Sequence, residues 1–97
     1  MSTTLLPAEQ ALIDPIDTAE VVSFLQALIR ARSDYPPGDT RAVISVVAEK
    51  LASAGIESRL LARRGQQVSL IAELSGESTG PTLLFHAHAD TVGAGDA

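Results

Sequence analysis

Two stretches of the chain place apolar residues at helical spacing. The first runs over residues 18–32 and carries one apolar stripe, made of Val21, Val22, Leu25, Leu28 and Ile29. Asp17 is a good N-cap for this helix, and Glu20 three positions later resembles a capping box. Pro36 and Pro37 then end any helix, and Tyr35, which precedes a proline, is pushed toward extended geometry.

The second helical stretch covers residues 40–54. Asp39 is predicted to cap its start, and Gly55 to end it in the left-handed conformation. Its apolar stripe consists of Val43, Ile44, Val47 and Leu51. The apolar stripes of both helices must be buried against another layer, and the rest of the chain is expected to form that layer.

Strand patterns follow the second helix. Residues 56–62 and 67–74 predict two strands, with a turn at 63–66 that contains Gly65. Residues 82–88 predict a third strand, whose apolar run favours a buried central position. The seven-residue loop 75–81 is too short for a parallel crossover, so the second and third strands should be antiparallel neighbours. The predicted fold class is α/β, with the two N-terminal helices packed on a mixed β-sheet.

Composition and charge exclude several classes of function. The chain has 97 residues, a net charge of -5 and seven Lys and Arg, which argues against nucleic-acid binding. It contains no cysteine, so any metal must be held by His, Asp or Glu. Residues 1–16 carry no Lys or Arg and resemble no signal peptide, which predicts a cytoplasmic protein. No stretch approaches the roughly 20 apolar residues of a membrane span.

Both histidines lie near the end of the sequence, in "FHAHADTV". His86, His88 and Asp90 share one face if the third strand extends that far, because side chains alternate across a strand. In a His-x-Asp pair the carboxylate can hold one ring nitrogen and leave the other free to bind metal. The alternative is a structural histidine that is hydrogen-bonded to an aspartate.

The residues around this pair resemble the first metal motif of the M20 family of zinc-dependent peptidases and deacylases, which includes acetylornithine deacetylase and succinyl-diaminopimelate desuccinylase. That motif is an apolar strand followed by His-x-Asp, then Thr or Val, then Val. Upstream, "RARSDYPPGDT" resembles the loop between the family's first two helices, and "VSLIAELSG" the strand before the metal strand. Ala87 and Gly93 depart from the glycine and proline that are common in the family.

The resemblance implies a zinc-dependent hydrolase that cleaves the amide bond of N-acyl amino acids or short peptides. His88 would bind one of two zinc ions, for which cobalt could substitute, and Asp90 would be the catalytic carboxylate that orients it. His86 falls where the family has a non-ligating polar residue and is predicted to line the pocket. The other ligands and the glutamate base of such enzymes lie downstream of this motif.

The domain organisation is therefore predicted as an N-terminal extension over 1–16, followed over 17–97 by an incomplete portion of a zinc-peptidase catalytic domain. The intact parent is expected to be a homodimer with a separate dimerisation domain, and the 97-residue chain to be inactive alone. No nucleic-acid or membrane partner is expected.

Three alternatives stay open. His-x-His-x-Asp occurs in metallo-β-lactamase-like hydrolases, usually followed by another histidine, where this chain has Thr91. Amidohydrolase barrels carry His-x-His on their first strand, but both histidines would then be ligands and Asp90 would be unexplained. A non-catalytic remnant or interaction module with an exposed sheet edge is the third.

Overall fold

Three helices and two small β-sheets make up residues 4–93, the part of the chain that the computed structural model describes. The helices are α1 (Pro7–Ile13), α2 (Thr18–Arg30) and α3 (Arg41–Ser53). The strands are β1 (Asp34–Tyr35), β2 (Ser58–Arg64), β3 (Gln67–Ala72) and β4 (Thr91–Val92). β2 and β3 form an antiparallel hairpin, and β1 and β4 form a parallel pair. The architecture is compatible with the predicted α/β class, although the described strands form two separate pairs rather than one mixed sheet.

Helix α1 lies within the segment 1–16, to which the sequence pattern assigned no element. Pro7 occupies its first turn, where a missing N–H costs nothing. Glu9 Oε1 accepts a hydrogen bond from the Leu6 amide at 2.7 Å. The helix is exposed along its length and contacts no other described element. Residues 1–3 of the predicted extension, and residues 94–97 of the predicted catalytic segment, lie outside the described residues.

Helix α2 begins where the sequence predicts. Asp17 caps it, since its Oδ1 accepts a hydrogen bond from the Ala19 amide at 3.0 Å. It ends at Arg30 rather than at residue 32, because Ala31 has already left helical geometry. The predicted capping box is wrong: Glu20 Oε1 lies 2.6 Å from Lys50 Nζ on α3 instead.

The prediction that α2 packs on the sheet is also wrong, because α2 contacts α3 and no described strand. Its half-buried side chains are Phe24, Ala27 and Leu28. The rest of the predicted stripe is exposed, at 56% for Val21, 47% for Val22, 53% for Leu25 and 69% for Ile29. These four side chains remain exposed, and α2 contacts no described element besides α3.

Helix α3 contributes the buried hydrophobic core of the described residues. Val43 and Ile44 are its buried residues, and Val47 and Leu51 are half-buried, as the stripe predicts. The helix packs on both strands of the hairpin. Gly55 ends the helical segment at φ 76°, a conformation that glycine adopts without strain.

The start of α3 differs from the prediction by one residue. Thr40 occupies the N-cap position, and its own side chain makes no cap bond. The neighbouring Asp39 supplies the acceptor, because its Oδ1 takes a hydrogen bond from the Arg41 amide at 3.1 Å.

The β2–β3 hairpin confirms the first two predicted strands, with bounds shifted by about two residues. Its turn is Gly65–Gln66, with Gly65 at φ 56°, and the register shifts between Ala62 and Arg64. Val68 and Leu70 are half-buried while Ser69 between them is exposed, so side chains alternate between the two faces here, whereas Ala72 at the end of the strand is exposed.

The third predicted strand is wrong. Residues 82–88 form no strand, and Leu83, Leu84 and Phe85 are exposed at 77%, 83% and 85%. A strand exists only when a neighbour satisfies its backbone groups, and no described residue pairs with this segment. The predicted antiparallel contact between strands two and three is therefore absent from residues 4–93.

The fold is more extended than a compact domain of this length. Its radius of gyration is 16.8 Å, against about 13 Å for a compact domain of 100 residues. None of the helices over residues 4–93 has the length and apolar content that crossing a membrane requires.

Candidate functional site

Residues 86–90, which carry both histidines and are called the histidine segment below, are tied to the loop after α2 by one residue of that loop. Ser33 is buried, at 5% exposure, and its Oγ donates a hydrogen bond to the carbonyl of Ala89 at 2.7 Å. The carbonyl of the same serine accepts a hydrogen bond from the Thr91 amide at 3.1 Å. From there β1 and β4 run parallel, with Asp34 opposite Thr91. Ser33 thus holds the backbone on both sides of Asp90.

His88 and Asp90 are in contact. The Nδ1 atom of His88 lies 2.7 Å from the backbone carbonyl oxygen of Asp90 and 3.3 Å from its carboxylate Oδ1. Both acceptors favour the tautomer in which Nδ1 carries the proton, and this leaves the lone pair of Nε2 free. The carbonyl makes the shorter contact, so the carboxylate is the second of two acceptors.

The two side chains reach each other without a sheet. The sequence pattern expected His88 and Asp90 on one face of a strand, but the structure has them in a segment without regular secondary structure just before β4. The contact between the His88 ring and Asp90 therefore forms although no strand holds the two side chains on one face. Both remain accessible to solvent, at 80% for the histidine side chain and 51% for the aspartate side chain.

An open cavity of about 600 Å³ lies beside this pair. The segment 86–90 lines it, together with residues of α3, the hairpin and the loop before α3 that include Tyr35, Thr40, Ile44, Val68 and Leu70. His86, His88 and Asp90 all border the cavity, so the residue predicted to line a pocket does border one. The hairpin contributes mostly apolar side chains together with Gln67 and Ser69, and the segment 86–90 contributes two histidines and an aspartate between alanines.

Two carboxylates lie in the loop between α2 and α3. The Arg32 guanidinium donates hydrogen bonds to Asp34 at 3.2 and 3.3 Å, and these lower the pKa of that carboxyl. Hydrogen bonds from the Arg41 side chain and then from its amide lower the pKa of Asp39. Both groups are ionised at neutral pH and are already engaged by arginine.

The donor set for a metal is incomplete over the described residues. Among residues 4–93 no group of three or more His, Asp or Glu side chains is arranged to hold a metal ion. A catalytic zinc needs about three protein ligands. The Nε2 atom of His88 fits one of these positions, with Asp90 behind it as a hydrogen-bond acceptor.

Sequence reasoning missed Ser33 and Thr40, the two buried polar residues of the described chain. Thr40 bonds to Val68 across 28 positions, and Ser33 to Ala89 across 56. The one available signal is that both are small hydroxyl residues flanking the loop that contains Pro36 and Pro37. That signal does not say which distant backbone atoms they reach.

No protein-family model matches the chain. No curated protein and no solved structure matches it either.

Proposed function

We propose that the chain is the N-terminal, metal-motif-bearing part of a zinc-dependent hydrolase similar to the M20 peptidases and deacylases. Its reaction is hydrolysis of the amide bond of N-acyl amino acids or short peptides, in the cytoplasm. The observation that carries the proposal is the His88–Asp90 contact, in which Nδ1 is engaged and Nε2 is left free. That is the arrangement a ligating histidine needs.

The residues present fit one ligand position of such a site and the hydrogen-bond partner of that ligand. His88 would hold the zinc through Nε2, and Asp90 would fix the ring orientation from the other side. A bound zinc supplies Lewis acidity, which polarises the amide carbonyl and lowers the pKa of water. The described residues provide no further ligand group, so the proposal requires additional ligands and a general base from outside them.

The cavity supports a small substrate. At about 600 Å³ it falls within the range of small-molecule sites, and the histidine segment borders it. His86 on its rim is a candidate substrate contact rather than a ligand. The intact enzyme is proposed to be a homodimer, in keeping with the family resemblance.

The test uses the longer protein of which this chain is proposed to be the N-terminal part. With zinc loaded and an N-acetyl amino acid as substrate, His88→Ala abolishes hydrolysis. Asp90→Asn retains much of the metal but lowers turnover about 10–100-fold, through loss of ring orientation. His86→Ala is the matched control and has a much milder effect.

Two outcomes contradict the proposal. Full turnover in Asp90→Asn would remove the assigned role of the carboxylate. Complete loss in His86→Ala would favour the families in which both histidines of His-x-His bind metal. The 97-residue chain assayed alone is expected to show no turnover.

A second candidate is an interaction module. The observation in its favour is the exposed apolar segment 83–85, together with the uncovered side of α2. Exposed backbone groups that no strand pairs with can pair with another chain. A chain that forms stable oligomers and has no preference for zinc at His88 would support this candidate over the hydrolase.

A further inference from the structure

The backbone on either side of Asp90 is held by a single buried residue. Ser33 Oγ donates to the Ala89 carbonyl at 2.7 Å, and the Ser33 carbonyl accepts from the Thr91 amide at 3.1 Å. These two bonds hold the peptide units just before and just after Asp90. Beyond them the parallel β1–β4 pairing covers two residues of each strand.

The side chains of the pair have little other support. His88 and Asp90 are mostly exposed, at 80% and 51%. The preceding residues Leu83, Leu84 and Phe85 are exposed as well and belong to no strand. The position of the Asp90 carbonyl, which is the nearest acceptor for His88 Nδ1, therefore depends on how the backbone at 89–91 is fixed.

We propose that Ser33 is a positioning residue, which sets the orientation and tautomer of His88 by fixing the backbone at Ala89 and Thr91. Its hydroxyl touches neither imidazole nor substrate, so it acts through Asp90. A catalytic role for this positioning rests on the proposed function. The selection of the His88 tautomer by Ser33 does not depend on it and can be tested in this chain alone.

A hydroxyl at position 33 supplies the hydrogen-bond donor that the Ala89 carbonyl needs. The Ala89 carbonyl is part-buried and needs a donor, and Ser33 Oγ is small enough to reach it from a buried position. Alanine at position 33 leaves that carbonyl without its partner, so that of the two bonds only the backbone bond at the Thr91 amide remains and the peptide unit before Asp90 is held less firmly. Threonine retains the hydroxyl and restores the bond.

The experiment is nitrogen-15 NMR of the two imidazole rings in the 97-residue chain, at about pH 8, where imidazole is mostly neutral. In the wild type, His88 is predominantly the Nδ1–H tautomer. Ser33→Ala shifts it to a mixture of both tautomers, and Ser33→Thr returns it toward wild type. His86 is the internal reference, because no contact ties its ring to Ser33.

Thr40→Ala is the matched control. It removes a buried hydroxyl that bonds to Val68 and lowers stability without touching residues 89–91. An equal tautomer shift in Thr40→Ala and Ser33→Ala would overturn the proposal, since the effect would then follow general stability. An unchanged His88 in folded Ser33→Ala would overturn it as well. Because the readout uses neither zinc nor turnover, failure of the hydrolase proposal is recognised separately.

Discussion

Thr40 and Val68 are joined by two hydrogen bonds that share one buried hydroxyl. The Thr40 Oγ1 donates to the Val68 carbonyl at 2.7 Å and accepts from the Val68 amide at 2.8 Å. The Thr40 amide also donates to the Gln66 carbonyl at 3.1 Å. The residue before α3 therefore satisfies the backbone of β3 as a neighbouring strand would, and it fixes the hairpin against the helix.

Thr40→Val is expected to destabilise the chain by about 1–3 kcal/mol, because it leaves both backbone groups of Val68 without a partner. The substitution keeps the side-chain shape, so packing changes little. Urea unfolding followed by circular dichroism measures the change. Ser45→Ala, an exposed hydroxyl on the same helix, is the control and should shift stability by no more than about 0.5 kcal/mol. Equal midpoints for the two variants would contradict the role of Thr40.

Gly38 is required by two separate constraints. Its φ is 73°, and a Cβ built there would lie 2.9 Å from Cδ2 of the Tyr35 ring. Gly38→Ala should therefore cost more than the roughly 1–2 kcal/mol of left-handed strain. Gly65→Ala is the matched control, since Gly65 also has positive φ (56°) but open space around it.

The Tyr35 contact can be separated from the backbone strain. In a Tyr35→Ala background, Gly38→Ala should cost about as much as Gly65→Ala, measured as the shift of the unfolding midpoint. The prediction is contradicted if Gly38→Ala costs the same free energy of unfolding with and without the tyrosine ring. The close approach to Tyr35 would then add nothing to the backbone strain.

Stability should fall on acidification through Asp39. Its pKa is lowered from 3.8 by hydrogen bonds from the Arg41 side chain and amide. A folded-state pKa below the unfolded value contributes stability that is present above the unfolded pKa and lost as pH falls through the folded one. The loss is therefore expected below about pH 4.

Unfolding midpoints measured against pH test this. Asp39→Asn should flatten the acid limb of the profile, and Arg41→Gln should flatten it in part, since it removes the side-chain donor that lowers the pKa of Asp39 most and keeps the amide. Asp34 keeps its own pair with Arg32 in both variants, so part of the acid dependence remains. An acid limb that is identical in wild type and both variants would contradict the assignment.

Local patterns predicted α3 and the hairpin well because their signals lie within a few residues. Gly55 ends the helix, Gly65 lies in the turn, and the stripe that begins with Val43 faces the core. The short helix α1 had a readable signal in Pro7 and was missed because no apolar stripe accompanied it.

Pairing between distant segments could not be read in the same way. The apolar run at 82–88 has the composition of a central strand, but composition does not supply a partner, and no described residue pairs with it. Similarly, the stripe on α2 is amphipathic whether or not a layer covers it. The bonds from Ser33 and Thr40 span 56 and 28 positions, beyond the reach of any local pattern.

The candidate pair was predicted from spacing, and its geometry was partly different. His88 and Asp90 do contact each other, although the segment that carries them is not a strand. The shorter contact to Nδ1 comes from the Asp90 carbonyl and not from its carboxylate. The sequence identifies the aspartate, whereas the choice of atom depends on how the backbone at 89–91 is fixed.

A zinc titration of the 97-residue chain, followed on the nitrogen-15 signals of both histidine rings, tests whether His88 binds metal through Nε2. We expect weak binding in which Nε2 of His88 shifts and the ring of His86 changes far less, with lower affinity in Asp90→Asn. Tight stoichiometric zinc that moves both rings equally would contradict it, as would a His88 ring that does not respond to zinc.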